Sequence, residues 1–406
     1  MHQGKISSIK SSLDKLIRKH NRDKDKNIFH TLNEEYSDIK SQLYKDPEIE
    51  GKFSEKFIDR KLLRLAKIGV EEPQNLDREL DDFIEFLESY DTEFHVFLPL
   101  SGIEVQPSDQ EFQLGNICVV QSTPELRDEV KQVLIGILKR NPRYSDIEEE
   151  EYLSSRTYII TECFDAPTVA RYSVVAEPIR ARERAEEEAR RVIEVLRFYG
   201  MIGYDPGWNV RICLMHESNP RIKSVVGYSD ERFVSSESVS GPLKNLKLSE
   251  AFIEKMEQSG ANKLLGLISK VSLTEFEEKL LLAIHWLATS QMQYDNESKF
   301  LNLVSALESL LTRDSSYPIA ISVAEGAAIL LGDDLSERIR IRDEVKEYYG
   351  KRSRLSHGGS KPVYDSDLEG LQHYTVSLLL VLLKRTDEFN NQDDLFNWLD
   401  TQKLKG

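Results

Sequence analysis

The stretch Arg338–Gly359, with the sequence RIRIRDEVKEYYGKRSRLSHGG, decides how the C-terminal third of the chain is interpreted. From its first residue to Arg354 it carries seven Lys or Arg residues against three Asp or Glu residues. The whole chain, in contrast, has a net charge of −16. A basic segment in an acidic chain forms either a salt-bridged surface or a place for an anion.

The stretch has the pattern of a helix that ends at the pair Gly358-Gly359, because glycine readily adopts the left-handed conformation after the last helical residue. Arg352 and His357 then lie in its last turns, five positions apart. The negative end of the helix dipole favours the charged form of a histidine, whereas Lys351 and Arg354 oppose it. The sequence therefore predicts a histidine that can titrate near neutral pH.

This pair of side chains is suited to the cleavage of RNA, which carries its own nucleophile in the 2′-hydroxyl. A histidine can accept or donate the proton, an effect of about 10²–10⁴ in rate. An arginine can donate two parallel hydrogen bonds to phosphate oxygens, and Ser353 and Arg354 can add phosphate contacts. Such chemistry requires no metal ion. The alternative interpretation is a charged surface helix that a C-terminal histidine caps.

A second Arg–His pair, Arg211 and His216, lies in a predicted strand. Side chains alternate between the two faces of a strand, so the odd separation of five places this pair on opposite faces. Cys213 and His216 have no second pair of ligands nearby, which argues against a zinc site. The sequence also lacks GxxxxGK[ST], GxGxxG, GxSxG and HExxH motifs, so no cofactor or metal is predicted.

The composition is typical of a globular protein with two or three domains: 406 residues, 40% hydrophobic and 31% charged. No apolar run approaches the ~20 residues of a membrane-spanning helix, and the N-terminus lacks an apolar signal core. Three widely spaced cysteines indicate reduced thiols, so we expect a cytoplasmic protein with no membrane partner. The acidic balance argues against broad coating of nucleic acid but leaves room for one small basic site.

The hydrophobic pattern predicts an α+β fold in three parts: a helical N-terminal region (1–91), a mixed α/β domain (92–240) and an all-α domain (241–406). The helices predicted in the first part are Ser7–Lys19, Asn27–Leu43, Ser54–Ile68 and Asp77–Ser89.

In the middle part, clusters of β-branched and aromatic residues between Gly and Pro indicate strands. The predicted strands are Phe94–Leu100, Phe112–Val120, Arg156–Cys163, Val169–Val175, Trp208–His216 and Arg221–Tyr228. The predicted helices are Thr123–Lys139, with Thr123 as its N-cap, and Pro178–Tyr199. The serine-rich segment Ser235–Gly241 is predicted to be a linker.

The C-terminal part is predicted to be almost wholly helical, with short connections that favour antiparallel neighbours in a bundle. In the helix of the basic stretch, the buried stripe is predicted to consist of Ile341, Val345 and Tyr348. The predicted helices are Leu248–Gln258, Leu273–Gln291, Glu297–Leu311, Ile319–Leu331, Leu335–Leu355 and Ser366–Arg385, with a short one near Asp394–Leu399.

Two motifs of this part, LVSALESLL at Leu303–Leu311 and YYGKRSRLSHG at Tyr348–Gly358, resemble the ApeA-like branch of the HEPN superfamily. That branch has an "ALE-S-LL" helix and an "R-S-x-L-x-HG" helix end. The resemblance covers about residues 265–400 and implies an all-α HEPN helical bundle. It further implies a metal-independent ribonuclease in which Arg352 and His357 are catalytic and line a cleft between the protomers of a homodimer.

By the same resemblance, Ser353 is the polar position after the arginine. Glu308 is the acidic position of the partner helix, or it only pairs with an arginine at the edge of the core. Arg354 and Lys351 are expected as further phosphate contacts. The implied substrate is RNA, with tRNA a candidate.

The implied role is anti-phage defence or toxicity, with a sensor or regulatory role for residues 92–240. A phage-derived trigger or inhibitor is then a candidate partner. The alternative is a non-catalytic HEPN module for dimerisation, partner binding or nucleotide binding.

Overall fold

The computed structural model describes residues 8–15, 17, 34–107, 110–140, 158–203, 210–218, 221–228, 233–240, 245–313, 318–356 and 362–405. Within these residues helices predominate beside a small sheet, which confirms the predicted α+β class. The helices are α1 (Glu34–Tyr44), α2 (Pro47–Lys52), α3 (Glu55–Glu71), α4 (Leu76–Ser89), α5 (Pro124–Arg140), α6 (Pro178–Gly203), α7 (Glu250–Gln258), α8 (Ala261–Ile268), α9 (Glu275–Ser290), α10 (Asn296–Leu311), α11 (Ile319–Leu331), α12 (Leu335–Ser356), α13 (Asp365–Lys384) and α14 (Gln392–Lys405).

The strands pair into three groups. One sheet has the order β3-β4-β5-β1-β6, with antiparallel β3–β4 and β1–β6 pairs. Strands β2 and β9 pair in parallel, and β7 pairs with β8 in antiparallel register. The strands are β1 (Glu93–Ser101), β2 (Ile103–Val105), β3 (Glu111–Leu114), β4 (Ile117–Gln121), β5 (Thr168–Val175), β6 (Cys213–Leu214), β7 (Arg221–Tyr228), β8 (Phe233–Ser240) and β9 (Leu246–Leu248).

The chain divides into two compact units. The first unit consists of residues 1–97 and 171–187, and the second of residues 98–170 and 188–406. The dividing points fall within β1, β5 and α6. The boundaries predicted from the sequence, after residues 91 and 240, stay predictions.

The core of the first unit is formed by apolar side chains of its helices. Ile58 of α3 and Leu80 of α4 are fully buried. Both residues lie in helices that the sequence predicts. Phe53 lies at the centre of an aromatic group, 5.4 Å from Phe57 and 5.3 Å from Tyr90 between ring centroids. Aromatic rings at these distances attract one another, which stabilises the fold beyond the burial of their apolar surface.

A buried carboxylate links the start of α6 to the start of α3 within the first unit. Glu177, 2% exposed, accepts hydrogen bonds from the main-chain N–H groups of Ile179 and Arg180, both at 2.9 Å. It also accepts bonds from the main-chain N–H and the hydroxyl of Ser54, the N-cap of α3. The first N–H groups of a helix have no partner inside it, and its dipole favours a negative charge there. One carboxylate therefore accepts hydrogen bonds from main-chain N–H groups at the starts of both helices.

The core of the second unit is largely made by its C-terminal helices. Helix α9 packs against α10, α10 against α13, and α11 against α12. The inward face of α10 is apolar, since Phe300, Val304, Leu307 and Leu311 are all buried. The second half of α6 also belongs here: His285 of α9 donates from Nδ1 to Oε1 of Glu194 at 2.7 Å.

The predicted strand Arg156–Cys163 is wrong, because residues 158–164 are helical. The hydroxyl of Tyr158 donates to Glu162 at 2.5 Å, a pair at helical spacing. The main-chain N–H of Asp165 donates to the carbonyl of Thr161 at 2.8 Å. The preference of β-branched residues for strands is weak and depends on context, and local hydrogen bonding outweighs it here.

The predicted linker at Ser235–Gly241 is also wrong for its described residues, which belong to β8. Eight register pairs join β8 to β7, from Phe233 opposite Tyr228 to Ser240 opposite Arg221. Main-chain groups make the hydrogen bonds of a ladder, so a serine-rich sequence can form one.

Two further differences concern short elements. The predicted strand Trp208–His216 is confirmed only at Cys213–Leu214, and the short helix Ala261–Ile268 and the β2–β9 pair were not predicted. Among the described residues, no helix combines the length and apolar character needed to cross a membrane.

We predict that Glu177→Gln lowers the free energy of unfolding by about 2 kcal/mol, because the amide loses charge-assisted bonds to buried donors. Urea unfolding followed by circular dichroism measures the effect. Glu183→Gln is the matched control, since its partly exposed ion pair with Arg180 at 3.4 Å contributes little. Equal unfolding midpoints for the two variants would contradict the assigned role of Glu177.

A second prediction concerns pH. The hydrogen bond to Glu194 raises the pKa of His285 above its ordinary 6.5. The stabilisation is therefore complete below about pH 6.5 and disappears as the pH rises through the folded-state pKa. We expect His285→Gln to cost about 0.5 kcal/mol at pH 5.5 and nothing at pH 9, since the imidazole is half exposed. Denaturant titrations at both pH values test this, and a cost that is the same at both would refute it.

Candidate functional site

Helix α12 carries the arginine at the centre of the predicted site. Its inner side is formed by Ile341, Val345 and Tyr349, all nearly or fully buried. The prediction of Tyr348 as the third member is wrong, since Tyr348 is only half-buried and lies 6.2 Å from Phe300 between ring centroids. Buried residues on the inward face of α12 therefore recur every four positions over this stretch.

Arg352 faces α10, where Glu308 supplies a counter-ion. Nη2 of Arg352 lies 3.5 Å from Oε1 of Glu308, and the two side chains are 40% and 22% exposed. Glu308 follows the fully buried Leu307, so the apolar face of α10 places its carboxylate at the edge of the core. The contact is an ion pair without hydrogen-bond geometry, because this oxygen has no hydrogen-bond partner among the described residues.

The hydroxyl of Tyr349 is a second buried polar group at this place. Burial, and then the charge of Glu308, raise the pKa of the Tyr349 phenol. The hydroxyl lies against the Glu308 carboxylate, although no hydrogen bond of good geometry joins it to a described residue. The carboxylate therefore accounts for the polar surroundings of this phenol.

A groove of about 450 Å³ opens beside Arg352. One wall is apolar and comes from the start of α11: Ile319, Ala320 and Ile321. The other wall is mostly polar and basic and comes from α12: Lys346, Tyr349, Gly350, Arg352 and Ser353. The groove thus offers a ligand both cations and an apolar surface.

Apart from Arg352, the basic residues of α12 fall into two sets. Four are held by carboxylates or by a main-chain carbonyl: Arg338, Arg340, Arg342 and Lys351. In contrast, Lys346 and Arg354 are exposed and make no ion pair with any described residue. Arg354 lies over the groove wall, with Nη1 3.5 Å from the position that a Cβ on Gly350 would take. Lys346 and Arg354 therefore add positive charge near Arg352 without an ion pair among the described residues, and Asp343 acts on Lys346 at longer range.

The apolar wall of the groove is also the N-terminus of α11. Its N-cap is Pro318, which makes no side-chain capping bond. The N–H groups of Ile321 and Ser322 bond to the carbonyl of Pro318, both at 3.0 Å. Those of Ile319 and Ala320 have no partner within the described ranges. Such a helix start favours an anion.

Of the six predicted site residues, the structure brings four together around Arg352: the arginine itself, Ser353, Arg354 and Glu308. Lys351 lies elsewhere, since it is paired with Asp367 of α13.

His357 lies outside the described residues. Helix α12 ends at Ser356, one residue beyond the predicted end at Leu355. The histidine therefore follows directly on the last residue of α12, four residues beyond the groove residue Ser353.

Sequence reasoning missed Lys346 and the start of α11. Lys346, Gly350 and Ser353 stand at i, i+4 and i+7, which places them on one face of the helix. That spacing could have added Lys346 to the site. The contribution of Ile319 depends on how α11 packs against α12, which no local pattern reveals.

The second Arg–His pair has a structural explanation. Arg211 is 7% exposed, donates to the carbonyl of Gln293 at 2.8 Å and stacks on the ring of Tyr294, 4.4 Å from its centroid. His216 lies exposed in a short 3₁₀ turn. Among the described residues, no group of three or more His, Cys, Asp or Glu side chains could hold a metal ion.

A larger cavity, of about 860 Å³, lies in the first unit. Its two cations have carboxylate partners: Lys40 lies 3.0 Å from Glu55, and Arg180 lies 2.9 Å from Glu187. Both cations of this cavity are therefore paired, whereas Lys346 of the groove beside Arg352 has no ion pair among the described residues.

Comparison of the chain with models of protein families, with curated proteins and with solved structures found no match. The expected relation to HEPN proteins therefore rests on the two motifs at Leu303–Leu311 and Tyr348–Gly358, and it stays a prediction. The geometry around Arg352 is an observation independent of those motifs.

Proposed function

We propose that the protein is a metal-independent endoribonuclease of the HEPN type, and that Arg352 and His357 carry the reaction. The observation that carries this proposal is the groove beside Arg352, where a guanidinium held by Glu308 lies near Lys346, which has no ion pair among the described residues. Phosphodiesters are the ligands that such a surface recognises best, because arginine matches the geometry of two phosphate oxygens.

In the proposed reaction, the 2′-oxygen of a ribose attacks the adjacent phosphorus atom, and His357 accepts the hydroxyl proton. The negative charge of the resulting phosphorane is stabilised by Arg352. The bond to the 5′-oxygen then breaks, and a protonated His357 of a second copy of the chain donates the proton to the leaving oxygen. The products are a 2′,3′-cyclic phosphate and a 5′-hydroxyl end.

The two-histidine scheme requires a homodimer through the C-terminal helices. We assign these helices, α9–α14, to the HEPN bundle, with the ALE-type motif on α10 and the arginine motif on α12. The contact between Arg352 and Glu308 supports this assignment, because it joins the two motifs in space.

The biological role in this proposal is anti-phage defence or toxicity in the cytoplasm, with tRNA as a candidate substrate. Residues 1–240 would then detect a trigger, or hold the nuclease inactive until a phage-derived partner binds. Both roles follow from the family resemblance.

A non-catalytic interaction module is the second candidate. The observation that favours it is the same ion pair, since an arginine with a counter-ion can be structural. This alternative predicts no RNA cleavage by the wild-type protein, and loss of dimers or of partner binding when Arg352 is replaced.

We predict that Arg352→Ala and His357→Ala each lower the rate of RNA cleavage at least about 100-fold, since each removes a group that acts on the reacting phosphate. Total tRNA with EDTA in the buffer is the substrate. Arg342→Ala, whose arginine is paired with Asp343 on the same helix, is the control and should stay within about twofold of wild type. Undiminished cleavage in both site variants, or cleavage that EDTA abolishes, would refute the proposal.

We further predict that Glu308→Gln lowers kcat about tenfold without raising KM. Loss of the carboxylate frees the guanidinium of Arg352 to leave its reactive position, while the groove becomes more positive and binds RNA at least as well. Steady-state kinetics on one labelled RNA measure both constants. Glu347→Gln, on the exposed side of α12, is the control. A higher KM with unchanged kcat would show that Glu308 does not position the arginine.

A further inference from the structure

Tyr349 lies beside both members of the ion pair between Arg352 and Glu308. It precedes Arg352 by three residues in α12, a spacing that places two side chains on the same side of a helix, and both residues line the groove. The charge of Glu308 acts on its phenol and, more weakly, so does that of Arg352. The side chain of Tyr349 is only 7% exposed. A buried hydroxyl therefore lies against the carboxylate that holds the arginine.

The hydroxyl of Tyr349 and Oε1 of Glu308 are a donor and an acceptor that both lack partners. Both atoms are buried, and neither has a hydrogen-bond partner among the described residues. An ionised carboxylate offers about four positions that accept hydrogen bonds, so it can accept from the phenol and from the guanidinium of Arg352 at the same time. In enzymes without bound substrate, hydrogen bonds of the active site are often poorly aligned, and they tighten when the substrate binds.

We propose that Tyr349 is a positioning residue for the cleavage of RNA. When the strand binds, the hydroxyl of Tyr349 donates a hydrogen bond to the carboxylate of Glu308, which restrains the oxygen atoms that face Arg352. The guanidinium is then held at the place where the phosphorane forms. This inference rests on the proposed function, because it concerns how Arg352 is placed for that reaction. Tyr349 acts on the reacting phosphate only through Glu308 and Arg352.

The protonation state of the phenol is suited to this role. Burial, followed by the charge of Glu308, raises the pKa of Tyr349 above its ordinary 10.0. The hydroxyl therefore keeps its proton at neutral pH and remains a donor. A hydrogen bond to the charged form of a carboxylic acid favours that form. The phenol thus favours an ionised Glu308, which is the form that attracts the guanidinium of Arg352.

Packing of the helical bundle requires the ring of Tyr349 but not its oxygen atom. Phenylalanine fills the same space, and a buried hydroxyl without a well-formed hydrogen bond does not stabilise a fold. Tyr349→Phe should therefore leave the thermal midpoint of unfolding unchanged or raise it. A role in packing alone would leave the cleavage rate of this variant unchanged as well, so the kinetics of cleavage separate the two roles.

The test measures steady-state cleavage of one labelled RNA. We expect Tyr349→Phe to lower kcat about fivefold, the effect of one hydrogen bond of ordinary strength. KM should equal that of wild type, because the hydroxyl contacts Glu308 rather than RNA. Tyr348→Phe is the matched control: it makes the same change one residue earlier on α12, where the hydroxyl approaches Gly370 of α13, and should behave as wild type. An unchanged kcat in Tyr349→Phe would overturn the inference.

A cycle of two variants shows whether the hydroxyl acts through the carboxylate. Glu308→Gln alone is expected to lower kcat about tenfold, and Tyr349→Phe should add nothing in its presence, because Arg352 is already released. Two independent effects would instead multiply to about fiftyfold. Multiplied effects in the double variant would therefore exclude a role of Tyr349 through Glu308.

Binding is measured separately from cleavage. A short, fluorescein-labelled, fully 2′-O-methylated RNA lacks the nucleophile and cannot be cut, and its fluorescence anisotropy is followed as the full-length protein is added. Tyr349→Phe should bind this RNA as tightly as wild type. Weaker binding would show that the hydroxyl contacts RNA directly, which contradicts a positioning role.

Failure of this inference and failure of the proposed nuclease give different results. If wild type cleaves RNA, Arg352→Ala is inactive and Tyr349→Phe cleaves at the wild-type rate, the nuclease stands and Tyr349 has no positioning role. If wild type cleaves no RNA, the proposed function is wrong, and the positioning role of Tyr349 is wrong with it.

Discussion

The ion pair between Arg352 and Glu308 is the contact on which the proposed site depends. It joins α12 to α10 at the edge of the bundle, where an arginine without a partner would move through a large volume of solvent. Holding it there leaves a carboxylate oxygen buried without a hydrogen bond, which is unfavourable. Both side chains are partly exposed, so the ion pair itself contributes little to stability. Positioning of the guanidinium explains it better.

The acidic character of the whole chain does not conflict with a site for RNA. At physiological ionic strength, charges separated by more than about 8 Å are largely screened. The local charge balance around the groove is then decided by Lys346, Arg352 and Arg354 against Glu308 and Asp343. The remaining acidic residues act at longer range, where they disfavour indiscriminate binding of nucleic acid.

Local patterns predicted much of the helical part, and they failed where a distant partner decides. Helix α11 has the predicted bounds, because apolar spacing and the proline before it are local features. The segment Ser235–Gly241 was misread, because strand pairing with β7 cannot be read from its own composition. In the site, Lys351 is neutralised by Asp367, sixteen residues further on, whereas Lys346 makes no ion pair with a described residue. Which cation stays available is thus a property of the packed helices.

A purely structural role for the basic end of α12 makes a different demand on these charges. A cation that stabilises a helix belongs near the carbonyl end of that helix, where the dipole is negative. Arg352, in the last turns of α12, meets this demand for its own helix, whereas Lys346 lies mid-helix. Both residues also line a groove with the uncapped start of α11, where the dipole is positive. Charges of like sign gathered at one place raise the free energy of the unliganded protein, and an anion bound between them removes that cost. The arrangement is therefore better explained by a ligand than by folding.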